Sequence, residues 1–143
     1  MFNKKSALGI YPFENDVSFV ILTTRSDGKY TCEFHNHLLF NKEKDLLEEL
    51  ISIAAYLSLI AVEWEVDYIS FVKEPIPSPA TTFIQTYFDT LDTMDILVQD
   101  CSLPDIQEVK HSIISDIRTE TRELLHAMGC AMAVLKDNEG LNH

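Results

Sequence analysis

The chain has 143 residues, is 46% hydrophobic and 10% aromatic, and holds only 4 Gly and 5 Pro. That size and composition suit one domain with a sizeable core and exclude a disordered or low-complexity chain. Asp and Glu number 23 against 11 Lys and Arg, a net charge of −12, which repels phosphate backbones and disfavours nucleic acid as a partner unless a metal supplies positive charge.

Three cysteines, Cys32, Cys101 and Cys130, are an odd number without CxxC spacing. They read as reduced thiols of a cytoplasmic protein rather than a disulfide framework or zinc site. Residues 1–16 lack the apolar core and small-residue cleavage site of a secretory signal. The longest apolar stretch, ISIAAYLSLIAV, is too short and too amphipathic to span a membrane.

The first third is strand-like. SALGIY is followed by the turn FEND and then by DVSFVILTT, rich in β-branched and aromatic residues. Asp27-Gly28 signals a tight hairpin. KYTCEFHNHLLF alternates, which predicts Tyr30, Cys32 and Phe34 on one face and Thr31, Glu33, His35 and His37 on the other. Together these segments predict an antiparallel three-stranded meander.

The period then lengthens. Asn41 can cap a helix whose apolar stripe runs Leu47, Leu50, Ala54, Leu57, Ala61 and Trp64, widened by Leu46, Ile53 and Ile60. YISFV at 68–72 reads as a strand reached by a crossover to a parallel neighbour. PIPSPA breaks the chain, and Ser78 followed by Pro79 starts a helix bearing Phe83, Tyr87 and Leu91, with Ile84 and Phe88 beside them. MDILVQD, 94–100, is a fifth strand. Ser102 caps a last helical region with the stripe Ile106, Val109, Ile113, Ile117, Leu124, Met128, Ala131 and Leu135, either one helix or two joined near 118–121. The domain spans 1–137, and 138–143 form a flexible polar tail.

The order βββαβαβα gives an α/β fold with a mixed five-stranded sheet flanked by helices. It resembles the ribonuclease H-like fold, and three motifs resemble its RuvC-like branch, the Holliday-junction nucleases. Leu8-Gly9-Ile10-Tyr11-Pro12-Phe13 stands where that branch typically has LGIDPG on its first strand. Phe71-Val72-Lys73-Glu74 ends the fourth strand, where the branch carries a catalytic Glu. His126-Ala127-Met128-Gly129-Cys130-Ala131 resembles its closing helix. Length and middle pattern also resemble a small uncharacterised bacterial family placed among these proteins.

The resemblance implies a two-metal site, which needs several carboxylates converging on one spot. It carries over poorly. The first-strand Asp corresponds to Tyr11, a phenol that is neutral at pH 7 and a poor ligand for Mg²⁺. The last-helix Asp corresponds to Gly129, which offers no ligand. Only Glu74 and the neighbouring His126 match, so the resemblance implies a degenerate, vestigial site of Tyr11, Glu74, His126 and Gly129. Tyr11 is expected to fill that place, over Gly129, with its hydroxyl near Glu74 or His126.

Two functions compete. One is a non-catalytic module that binds an unknown protein partner or forms a homodimer, without cofactor; the third strand and the aromatic helix of Phe83, Tyr87 and Phe88 are its candidate surfaces. The alternative is a divergent nuclease using Mg²⁺ or Mn²⁺, with a site rebuilt from Glu74, Glu123, His126 and Asp16. Asp116 and Glu120 lie on the same helical approach; such acids otherwise form a solvated face. His35 and His37 share a strand face, with Glu33 beside them, in a spacing that can bind Zn²⁺ or Ni²⁺, although polar residues on an exposed edge strand are ordinary. No Ser-His-Asp or Cys-His set has spacing support. Glycine-rich phosphate loops are absent.

Overall fold

The computed structural model describes residues 3–13, 16–41, 43–72, 82–83, 86–88, 96–101, 105–115 and 121–138. Three strands open the chain: β1 (Ser6–Phe13), β2 (Asp16–Thr24) and β3 (Tyr30–Leu39). Helix α1 (Leu46–Glu63) leads to β4 (Tyr68–Val72). Then come β5 (Leu97–Cys101), α2 (Ile106–Ser112), β6 (Ile113–Ile114) and α3 (Arg122–Asp137).

The sheet order is β5-β4-β1-β2-β3-β6. The first three strands form the expected antiparallel meander, and β4 and β5 add in parallel beyond β1. A sixth strand was not foreseen. Ile113 and Ile114 leave the helical stripe and pair in parallel with Tyr30 and Thr31 of β3. Two consecutive β-branched residues resist helix and accept a sheet edge. The last helical region is therefore two helices with a strand between them.

The turn at Asp27-Gly28 forms as its residues dictate: Gly28 takes φ 83°, and the Asp27 carboxylate accepts the Lys29 amide at 3.0 Å. The first helix starts later than Asn41. Asp45 is its cap, accepting the Leu47 amide at 2.9 Å, while the Asn41 side chain closes a local turn by accepting the Glu43 amide at 3.0 Å. Thr121 caps α3 through the Leu124 amide, and Asn138 closes its far end by donating to the Val134 carbonyl. Ser78, Pro79, Ile84, Leu91, Ser102 and Ile117 lie outside the described residues.

Strand alternation sends Leu8 and Ile10, with Val17, Phe19, Ile21, Ile69 and Phe71, to the α1 side of the sheet. Buried Leu50, Ile53, Ala54, Leu57, Ile60 and Ala61 meet them from α1. Phe83, Tyr87 and Phe88 join this layer, Phe88 packing on Phe71 with ring centroids 5.5 Å apart. Leu46, Leu47 and Trp64, expected inside, are exposed, Trp64 least so because its ring lies on Phe34 of β3, with centroids 5.8 Å apart. On the other face, Ala7, Val20, Leu22 and Tyr30 pack against α3. That helix is buried from Leu124 to Met132 on every side, as a helix without a polar face must be.

Candidate functional site

Tyr11 sits near the end of β1 on the α3 side, in line with Ala7 and Gly9. Gly9 determines how close α3 can come. A Cβ there would collide with the Ala127 carbonyl oxygen and stand 2.9 Å from both Cβ and N of Ala131. The small residues of α3 thus serve close helix-on-strand packing, against Gly9 in particular. That approach brings the imidazole of His126 onto the phenol of Tyr11, with ring centroids 5.1 Å apart and planes inclined at 40°.

His126 is buried. Its Nε2 accepts a hydrogen bond from Arg122 Nε at 3.3 Å, and its buried Nδ1 has no hydrogen-bond partner among the described residues. Burial pushes its pKa below the ordinary histidine value; the Arg122 charge adds to this and Glu123 opposes it. Its imidazole is therefore biased towards the neutral form. Gly129 is buried in the same helix, and Ser70, beside Gly9 in β4, is buried with no partner for its hydroxyl among the described residues. Glu74, Asp116 and Glu120 lie outside those residues.

Other site candidates collect nearby. Asp16, Ser18, His35, His37, Thr121 and Glu123 line a groove of about 400 Å³ between β2, β3 and the start of α3. Within it runs a hydrogen-bonded chain that the sequence spacing did not suggest. His37 Nε2 lies 3.1 Å from Asp16 Oδ2, and His37 Nδ1 lies 2.6 Å from Ser18 Oγ. An ionised carboxylate only accepts, so Nε2–H donates to Asp16; in the tautomer with Nε2 alone protonated, Nδ1 accepts from Ser18. The order is Ser-His-Asp, yet Ser18 is 1% exposed. Its hydroxyl is shielded from a substrate carbonyl, so this is a buried polar network, with Asp16 Oδ1 left without a partner among the described residues, rather than a nucleophile.

Glu33 does not share the face of His35 and His37. The β2–β3 register shifts between Ile21 and Leu22, whose partners are Phe34 and Cys32, so Glu33 is the extra residue of a bulge. Tyr30 and Cys32 pack on the α3 side, but Phe34 and Leu38 pack on the α1 side. Glu33 instead accepts from Thr23 Oγ1 at 2.9 Å and pairs with Lys4 at 3.5 Å, at the opposite end of the strand pair from Asp16. Period-two reading fails here because one inserted residue inverts every later side chain. Among the described residues no group of three or more His, Cys, Asp or Glu is placed to hold a metal ion.

Known structures share this fold. RuvC of Thermus thermophilus superposes with a TM-score of 0.76 at 9% identity, covering 94% of this chain and 96% of the other. The fowlpox virus Holliday junction resolvase gives 0.64 at 11% identity over 95% and 99% of the two chains. The yeast mitochondrial Holliday junction resolvase gives 0.61 at 12% identity over 94% and 82%. The fold is that of the RuvC-type resolvases. No family model and no curated protein matches the chain. At such low identity the likeness extends to the fold alone.

A RuvC-type fold invites a test of its implied metal pair against the residues present. Hard dications need converging oxygen anions, and Tyr11, His126 and Gly129 provide none. The described donor set does not fit two Mg²⁺, and no chemical step is derived through them. No helix among the described residues is long and apolar enough to cross a membrane.

Proposed function

We propose that the chain is a non-catalytic RuvC-like module that works by binding a protein partner or a second copy of itself. The observation that carries this reading is the tilted ring contact between Tyr11 and His126. By the resemblance, Tyr11 stands at the first metal-binding aspartate and Gly129 at the last, so an aromatic lid occupies the place where two cations would need negative charge. Thermus thermophilus RuvC and the fowlpox resolvase are both known in complex with Holliday junction DNA. A net charge of −12 weighs against such affinity, which rests on Lys and Arg contacts to phosphates.

One observation favours the alternative, a metal-dependent nuclease: Asp16 and Glu123 face the same groove, leaving Glu74 and His126 to complete a rebuilt set. The two readings separate in one assay. Four-way junction and linear DNA are incubated with the protein in Mg²⁺ and in Mn²⁺. No cleavage above background is expected. Metal-dependent cleavage that disappears in Glu74→Ala would overturn the binding-module reading.

A further inference from the structure

Most of β3 lies on an open edge of the sheet. Its inner side pairs with β2 from Tyr30 to Leu39, but on its outer side β6 covers only Tyr30 and Thr31. Past the bulge at Glu33, no strand among the described residues pairs with 35–39 from outside. His35, Asn36, His37 and Leu39 are exposed there. The backbone groups of successive residues turn to one neighbouring strand and then to the other. The His37 amide donates to the Asn36 side-chain oxygen at 2.8 Å, so it points away from the β2 ladder. His35 and Leu39, two residues to either side, therefore also turn their N–H and C=O groups outward. Asn36 Oδ1 accepts from His37 as the carbonyl of a further strand would.

We propose that this edge takes an extended segment of another protein as an added strand, one that alternates Lys or Arg with apolar residues. The two faces of β3 select that alternation. On the α3 side, His35 and His37 border the groove of about 400 Å³, whose described lining holds two carboxylates, Asp16 and Glu123, and no Lys or Arg. A basic side chain projecting from the added strand meets opposite charge there, and a net charge of −12 steers the whole segment inward. On the α1 side, Phe34 and Leu38 are only partly buried at the rim of the core, and apolar side chains of the added strand extend their cover. A strand points its side chains to the two faces in turn, so one face of the segment is basic and the other apolar. Main-chain hydrogen bonds give affinity and the two faces give selection. β3 itself contains no Lys or Arg, so a second copy cannot supply the basic face. With nothing bound, the Asn36 side chain blunts the edge; binding exchanges its oxygen for a peptide carbonyl. Residues 35–39 span about 17 Å of edge. That places the contact at the low end of interface size, below about 1,200 Å² in total, where association is weak. Such a partner deepens the binding-module reading, on which it rests.

Amide hydrogen exchange of the full chain, with a short capped peptide alternating Arg and Val as the probe, tests this. The outward His35 and Leu39 amides should exchange fast in the free protein and slow about tenfold or more when the peptide is bound. Titration should give a Kd of about 10–100 μM at low salt, weakening as salt rises. Methylating one alternate set of peptide nitrogens should cost about tenfold or more, whereas methylating the other set should cost little. A peptide alternating Glu and Val should not bind. Glu123→Lys should weaken binding of the Arg peptide about tenfold. His35→Pro, which removes an outward donor and leaves the β2 ladder intact, should weaken it as much; if that variant does not fold, Glu123→Lys and the methylated peptides decide. No protection of His35 and Leu39 at about 1 mM peptide, equal losses from the two methylated sets, or equal binding of the acidic peptide would overturn the proposal. Protection that instead grows with protein concentration alone would assign the edge to a second copy and overturn it as well. DNA cleavage alongside peptide binding would sink only the non-catalytic reading, and absence of binding without cleavage would sink only this site.

Discussion

The rings of Tyr11 and His126 meet across the junction of β1 and α3, with centroids 5.1 Å apart and planes inclined at 40°, and the imidazole is buried there. Burial comes first among the causes that lower the His126 pKa, followed by Arg122. Opening that lid should therefore be visible as a titration. In wild type, the His126 Cε1 proton should titrate below the ordinary value of about 6.5. Tyr11→Ser, which admits water and adds no charge, should move it back towards that value. An unchanged midpoint would show that the phenol is not what dries the ring.

The same shift makes stability depend on pH, and its sign is determined. A histidine with a lowered folded pKa binds its proton more readily in the unfolded chain, so unfolding takes up a proton on acidification. The contribution is complete above the unfolded pKa, about 6.5, and is lost as pH falls from there towards the depressed folded value. One proton limits the slope to about 1.4 kcal/mol per pH unit. Urea unfolding between pH 5 and pH 8 should show this decline in wild type. His126→Gln should flatten it, and a slope equal in both proteins would assign the acid sensitivity elsewhere.

Gly9 carries the close approach of α3, so Gly9→Ala should destabilise the fold. The added methyl would meet the Ala127 carbonyl and both Cβ and N of Ala131, mostly backbone atoms that cannot rotate aside. Overpacking of a core usually costs about 1–3 kcal/mol, and this site belongs at the upper end. A chemical denaturation midpoint close to wild type would mean that α3 can slide outward. In that event the Tyr11–His126 stack should loosen, and the His126 titration would report it.

Much of this architecture is legible in sequence, for physical reasons. The meander is written in β-branched residues and the Asp27-Gly28 turn, and α1 in its spacing of three and four. LGIYPF marked the strand that carries both Gly9 and Tyr11. Features that depend on one unit of register were not legible. A single bulged Glu33 inverts the faces of Phe34 and His37 relative to Tyr30, and nothing local to YTCEFHNH signals it. The Ser18–His37–Asp16 chain appears only once that register is known. Strand β6 is hidden because Ile113 fits the helical stripe as well as it fits an edge.

The end of α1 holds a strained residue whose relief should be measurable. Val66 donates to the Ala61 carbonyl and Glu65 to Val62, both at 3.1 Å, which is a Schellman cap. Its left-handed position is filled by Glu65 at φ 50°, where glycine is ordinarily found. A side chain in that conformation costs about 1–2 kcal/mol, partly offset by the lower entropy of a non-glycine unfolded chain. Glu65→Gly should therefore stabilise the protein by about 0.5–1 kcal/mol. Glu65→Ala, which keeps the Cβ, should not. Equal effects from the two would point to the lost charge rather than the backbone.

His37 is the middle of a polar chain whose Ser18 end is buried and whose Asp16 end is partly exposed. Removing it in His37→Ala leaves the buried Ser18 hydroxyl and the Asp16 carboxylate without their shared partner; Asp16 Oδ1 already has none among the described residues. An orphaned buried group costs about 1–3 kcal/mol, and the loss should lie in that range. Ser18→Ala in the His37→Ala background should restore part of it, since deleting both partners removes the unmet hydroxyl. Strict additivity in that double-mutant cycle would show that the 2.6 Å contact carries no coupling. Zn²⁺ or Ni²⁺ added to wild type should leave the melting temperature unchanged, because Asp16 and Ser18 already occupy both nitrogens of His37 and Glu33 lies on the other face. A metal-dependent rise that vanishes in His37→Ala would reverse that assignment and make His35 and His37 ligands.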